Sequence, residues 1–95
     1  MKQIKVTGMT WHHFIDSIPF HWKVDFNIYN SNNSVYVVSR CQPTYIVSTE
    51  LEQIQMVTIT DSSLILHCTI GHIVLLSKGN IIAQFGMEWN NQQFV

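Results

Sequence analysis

The chain has 95 residues, of which 46% are hydrophobic and only 12% are charged, where roughly a quarter charged is usual for soluble domains. Its five Lys and Arg residues and six Asp and Glu residues are scattered and leave a formal net charge of -1. This length indicates one compact domain over residues 1–95. The scattered cations argue against a duplex nucleic acid partner, and no apolar run is long enough to cross a membrane.

The residue types favour β structure. Twelve isoleucines, nine valines and seven threonines stand against a single alanine, Ala83. Branching at Cβ restricts χ1, which disfavours a helix and suits a pleated sheet. We expect a mainly β fold, a small antiparallel sandwich or partly open barrel of about seven or eight strands, with one short helix near residues 10–18.

The first strand is predicted over residues 2–7, ending at Gly8. A short amphipathic helix follows, with Thr10 as N-cap and Pro19 after its end. Its apolar residues recur at helical spacing: Trp11, Phe14, Ile15 and Ile18.

From His21 onward the period changes to two, which predicts a half-buried second strand. The side chains expected to face the core are Trp22, Val24, Phe26 and Ile28. Those expected to face water are His21, Lys23, Asp25, Asn27 and Tyr29. This polar face is the predicted binding surface.

Residues 30–34 form a predicted turn, and residues 35–38, apolar on both faces, read as a central strand. Pro43 interrupts the start of an extended segment over residues 44–48. Thr49 and Glu52 have the spacing of a capping box, which suggests a helical turn.

Two hairpins are predicted in the second half, with turns at residues 61–62 and 78–79. Between them, Gly71 interrupts an apolar run and marks either a tight bend joining two strands or a bulge in one long strand. In the tail, Trp89 and Phe94 are candidates for packing.

Five histidines invite a search for chemistry. A bend at Gly71 would bring His67 and His72 together as zinc ligands, with His12, His13 or Cys41 completing the shell. On an unbroken strand the two side chains have opposite parity and face opposite sides of the sheet. The spacing matches no standard metal signature, so we expect no metal and no other cofactor, and keep His67 and His72 as the alternative.

A second constellation resembles the residue set of a metal-independent ribonuclease, in which two histidines exchange protons and a lysine stabilises an anion. Its members would be His12, His13, His21 and Lys23. Tertiary geometry must assemble such a site, and the sequence has no nucleophile elbow or phosphate loop. We therefore expect no catalytic residues.

Without a secretory signal, Cys41 and Cys68 are expected to be reduced thiols in a cytoplasmic protein. The favoured function is a non-catalytic domain that occludes a partner protein, of the toxin-neutralising immunity or phage-encoded inhibitor type. Self-association is a further expectation from the weakly charged surface. The alternatives are a small hydrolase or nuclease using histidines, and a β-barrel that binds a ligand in an apolar interior.

Overall fold

A computed structural model describes residues 1–41, 44–85 and 88–90. These residues form nine strands in two antiparallel sheets, with two short helices. The expected mainly β architecture, a small sandwich with a short helix, is confirmed. Among the described residues, no helix is both long and apolar enough to span a membrane.

The larger sheet has six strands in the order β1-β5-β6-β7-β8-β9. Their bounds are β1 Lys2–Lys5, β5 Ile54–Ile59, β6 Ser63–Cys68, β7 Gly71–Leu76, β8 Asn80–Phe85 and β9 Glu88–Asn90. Strands β5 to β9 are a meander of consecutive antiparallel neighbours, while β1 joins its edge by pairing with β5. Both predicted hairpins are therefore present.

The smaller sheet has the order β2-β3-β4, with β2 at Phe26–Ser31, β3 at Ser34–Ser39 and β4 at Ile46–Glu50. Asn32 and Asn33 join β2 to β3 with φ values of 51° and 67°. Asparagine tolerates this left-handed conformation, which two-residue hairpin turns with the correct twist require. The predicted turn is confirmed at residues 32–33, and β3 is the central strand of its sheet, as predicted. Burial along β3 alternates, however, so the strand is covered on one face and not on both, as its apolar residues had suggested.

The core lies between the sheets. Burial alternates strictly along β3 and β6, as expected when only one face of each sheet is covered. The small sheet contributes Val35, Val37 and Val47 to the core cluster. The large sheet contributes Val57, Leu64, Leu66, Ile73, Leu75, Ile81 and Ala83.

Two helices precede the small sheet, where one was predicted. Helix α1, Trp11–Ser17, has the predicted N-cap: the Thr10 side chain accepts a hydrogen bond from the His13 backbone N–H. Helix α2, Phe20–Asp25, occupies the first half of the predicted second strand. The strand prediction is therefore wrong over residues 21–25, and β2 begins only at Phe26.

The reason for this error lies in the spacing of three apolar residues. Trp22 and Phe26 are both buried, but they are four residues apart and so fit a helical repeat as well as a repeat of two. Val24 distinguishes the two periods, because a strand would bury it beside Trp22 and Phe26. Its side chain is 57% exposed.

The other differences are local. Leu51–Gln53 is a 3-10 turn, but Glu50 is its N-cap and provides no side-chain hydrogen bond, so the capping box is absent. Gly71 begins β7 after a turn at residues 69–70, which establishes the bend rather than the bulge. Pro43 and Phe94 lie outside the described residues, and Trp89 lies in β9.

One turn of the large sheet fits closely against the end of the small sheet. Gly79, with φ +84°, lies so near Cys41 and Ser39 that an added Cβ would be 2.4 Å from the Cys41 Sγ and 2.8 Å from the Ser39 Oγ. Gly8 has nearly the same φ, +81°, but a Cβ there would meet nothing within 4 Å. A side chain at Gly8 would therefore introduce backbone strain alone, whereas a side chain at Gly79 would introduce both backbone strain and steric overlap.

We predict that Gly79→Ala destabilises the protein clearly more than Gly8→Ala. Both variants force alanine into the left-handed region, at about 1–2 kcal/mol. Gly79→Ala also overpacks the junction with Ser39 and Cys41, which typically adds about 1–3 kcal/mol. Urea unfolding of both variants measures the difference, and equal losses would show that the junction is loose.

We also predict that Trp22→Ala and Phe26→Ala each lower the free energy of unfolding by about 3–5 kcal/mol, because each removes a buried aromatic ring. Val24→Ala, between them, should change it by no more than about 0.5 kcal/mol. Denaturant titration tests all three. A large loss in Val24→Ala would restore the strand assignment for this segment.

Candidate functional site

The predicted binding residues do not form one strand face. His21, Lys23 and Asp25 lie on α2, and only Asn27 and Tyr29 lie on β2. His21, Asn27 and Tyr29 are exposed, whereas Lys23 and Asp25 are half-buried. The Asp25 carbonyl accepts a hydrogen bond from the Arg40 backbone N–H, which joins the end of α2 to the end of β3.

The same segment also carries exposed apolar side chains. Phe20 is 79% exposed, Val24 57% and Tyr29 38%; of the five large hydrophobic side chains that are exposed in the described part of the chain, these three lie within residues 20–29. Phe20 and Val24 are four residues apart on α2 and therefore share one side of the helix. We call Phe20, His21, Val24, Asn27 and Tyr29 together the 20–29 surface.

Tyr29 is held in place by a neighbour across the small sheet. It is the direct partner of Tyr36 on β3, and the two rings stack with centroids 5.1 Å apart and an interplanar angle of 13°. Stacking limits the rotamers of Tyr29, so less side-chain entropy remains to be lost when a partner contacts it.

Sequence reasoning did not identify Phe20 and Val24. It assigned Val24 to the core because the segment was read with period two. The available signal was their spacing of four, together with Pro19 directly before Phe20, since proline is well tolerated at a helix start.

Beneath this surface lies Trp22, whose ring is buried and stacks on Phe26 at a centroid distance of 6.1 Å. Its Nε1 is buried and has no hydrogen-bond partner within the described residues. A buried donor without a partner costs stability, and the burial of the apolar ring offsets that cost.

The second candidate site is the histidine pair. His67 and His72 are direct partners across the β6–β7 hairpin, with Nδ1 atoms 3.1 Å apart and ring planes nearly perpendicular at 86°. Thr58 on the adjacent β5 contacts the other side of His67, its Oγ1 lying 2.7 Å from the His67 Nε2. Burial, with a smaller contribution from the positive charge of protonated His72, lowers the pKa of His67 below its usual value.

The cysteines do not join this pair. Cys68 follows His67 and therefore faces the opposite side of the sheet, where it is buried in the core. Burial raises the pKa of the Cys68 thiol, against a smaller lowering by a hydrogen bond with the Thr49 side chain. Cys41 and Cys68 are both free.

The proposed third zinc ligands are not assembled either. His12 and His13 are exposed on α1, and Cys41 lies at the Gly79 junction. Over residues 1–41, 44–85 and 88–90, no three His, Cys, Asp or Glu side chains come close enough together to hold a metal ion.

Two clefts of about 480 Å³ each open on the surface. One lies between the start of the chain and the β4–β5 connection and includes Glu50 and Glu52. The other includes Thr49, Gln53 and Ile70. Neither is lined by a histidine, so these clefts give no support to the histidine hydrolase alternative.

Comparison with known proteins found no matching family model, no matching curated protein and no matching solved structure.

We predict that Tyr29 and Tyr36 stabilise each other by about 0.5–1 kcal/mol, as cross-strand aromatic pairs do. A double-mutant cycle with Tyr29→Ala, Tyr36→Ala and the double variant, followed by urea unfolding, measures this coupling. Additive losses would mean that the rings do not stack in solution.

Proposed function

We propose that this chain is a non-catalytic protein-binding domain that occludes its partner through the 20–29 surface. The observation that carries the proposal is the clustering of Phe20, Val24 and Tyr29 as exposed apolar side chains in a single segment. Exposure of these apolar side chains to water is unfavourable, and they do not contribute to the core. A binding partner that buried them would recover that free energy.

The chemistry of the segment suits a protein partner. Phe20 and Tyr29 are aromatic anchors of the kind that dominate interface energetics, and His21 and Asn27 provide polar contacts around them. Strand β2 is also an edge of the small sheet, which allows an extended segment of the partner to pair beside Tyr29.

Occlusion, as toxin-neutralising immunity proteins and phage-encoded inhibitors achieve it, requires surface contacts and no reacting groups. The free Cys41 and Cys68 accord with a reducing compartment, and we place the interaction in the cytoplasm. A second copy of the chain is the other partner that the weakly charged surface allows.

We predict that Phe20→Ser, Val24→Ser and Tyr29→Ser each weaken binding to a partner captured from extracts of the native host. Each affinity should fall about fivefold or more, equivalent to over about 1 kcal/mol. Ile70→Ser is the matched control, because Ile70 is 64% exposed but lies on the β6–β7 turn of the other sheet.

Titration of the purified partner against each variant measures the affinities, and thermal melts confirm that the variants fold. The proposal is refuted if the three variants bind like the parent, or if Ile70→Ser weakens binding equally. Sedimentation of the parent alone, compared with Phe20→Ser, tests whether the partner is a second copy.

A further inference from the structure

We propose that His67 and His72 form a two-histidine chelate for a divalent first-row transition metal ion, with Cu²⁺ bound most tightly. The inference is independent of the 20–29 surface, since both ligands lie on the outer face of the large sheet.

The β6–β7 hairpin places the two side chains side by side. His67 and His72 are direct cross-strand partners, so their Cβ atoms are held about 4.5–5.5 Å apart by the ladder. Both residues are half-buried and reachable from solvent. Each lies on a strand within a continuous sheet, so binding a metal would freeze only side-chain rotation.

The spacing of the nitrogens fits one shared ion. Two nitrogen ligands at about 2.0–2.1 Å from a metal are roughly 2.9 Å apart at a right angle and roughly 3.4 Å apart at the tetrahedral angle. The Nδ1 atoms of His67 and His72 are 3.1 Å apart, between these values. In the metal-free protein this contact is a hydrogen bond, donated by the His72 Nδ1–H to the His67 Nδ1. Metal binding moves that proton to the His72 Nε2, and a turn of the His72 ring then directs its Nδ1 lone pair toward the same ion as that of His67.

Metal-binding histidines usually donate their second ring N–H to a neighbouring group, and Thr58 is such a neighbour for His67. When its Oγ1 accepts a hydrogen bond from the His67 Nε2–H, the proton is held on Nε2 and the Nδ1 lone pair is free. Thr58 is 6% exposed and lies on a neighbouring strand, so the His67 ring is held by the sheet itself.

The row across the sheet continues with further donors. Met56 on β5 is the cross-strand partner of His67, and Gln84 on β8 is the partner of His72. Successive partners in such a row lie on the same face, so a thioether and an amide flank the imidazoles. With two imidazoles as the strong ligands and water in the remaining positions, affinity follows the general order that places Cu²⁺ above Ni²⁺ and Zn²⁺.

The experiment titrates the full chain with NiCl₂ and ZnCl₂ by calorimetry, and with CuCl₂ by electron paramagnetic resonance after the accessible Cys41 thiol has been alkylated and all reductant removed, so that Cu²⁺ is not reduced to Cu⁺. We expect one saturable site per chain and a Cu²⁺ spectrum with nitrogen ligation. The unfolding midpoint should rise with Ni²⁺ concentration, because the unfolded chain does not hold the imidazoles together.

His67→Gln and His72→Gln should each lower the affinity about tenfold or more, since each converts a chelate into a single ligand. Thr58→Val should lower the metal affinity by up to about tenfold, although both ligands remain in place. The matched control is the double variant His12→Gln/His13→Gln, which removes two exposed histidines from α1 and should bind like the parent.

The proposal is overturned if the parent shows no saturable binding at millimolar metal. It is also overturned if folded His67→Gln and His72→Gln bind the metal as tightly as the parent, or if the α1 control loses the binding. Should His67→Gln fail to fold, His72→Gln and the nitrogen ligation of the parent decide the question.

Discussion

The packing of the three-stranded sheet against the six-stranded sheet is the constraint on which the rest of the molecule depends. Along β3, β6 and β7 one residue in two points into the space between the sheets, and branched aliphatic side chains make up most of that core. The residues between them along these strands therefore point to the outer faces of the two sheets. The strict alternation in β6 places Cys68 in the core and, for the same reason, exposes His67 to the outer face.

The same constraint determines what happens at the ends of the sandwich. Trp22 on helix α2 and Phe26 at the start of β2 cover one end, and α2 approaches the turn that contains Gly79. Because α2 has only one face available for the core, Phe20 and Val24 must face outward. The exposed apolar pair is thus a result of how the core is closed.

Much of the fold follows from local pattern. The alternation in residues 63–68 and the Asn32-Asn33 turn predict β6 and the β2–β3 hairpin, because each depends only on neighbouring residues. Helix α2 was missed because Trp22 and Phe26 satisfy both periods. Pro19 before Phe20 was the local signal for a helix, and the exposure of Val24 decides between the two periods. The candidate sites are likewise only partly predictable from local pattern. The alternation indicates Tyr29 as a surface residue, but its stacking on Tyr36 depends on the register between strands. The contact between His67 and His72 also depends on strand register.

The pairing of β1 with β5 has a consequence for the order in which the chain folds. Strands β5 to β9 pair with their immediate neighbours through short connections, whose closure costs little chain entropy and proceeds quickly. Strand β1 is synthesised before its partner: Lys5 pairs with Met56, which follows both helices and the whole small sheet in the sequence. Strand β1 therefore waits unpaired until β5 is made, and the hydrogen-bonding edge of β5 is covered only when β1 pairs with it. In nascent chains whose β1 fails to pair, the edge of β5, which contains Val57 and Ile59, would be free to pair with strands of other molecules.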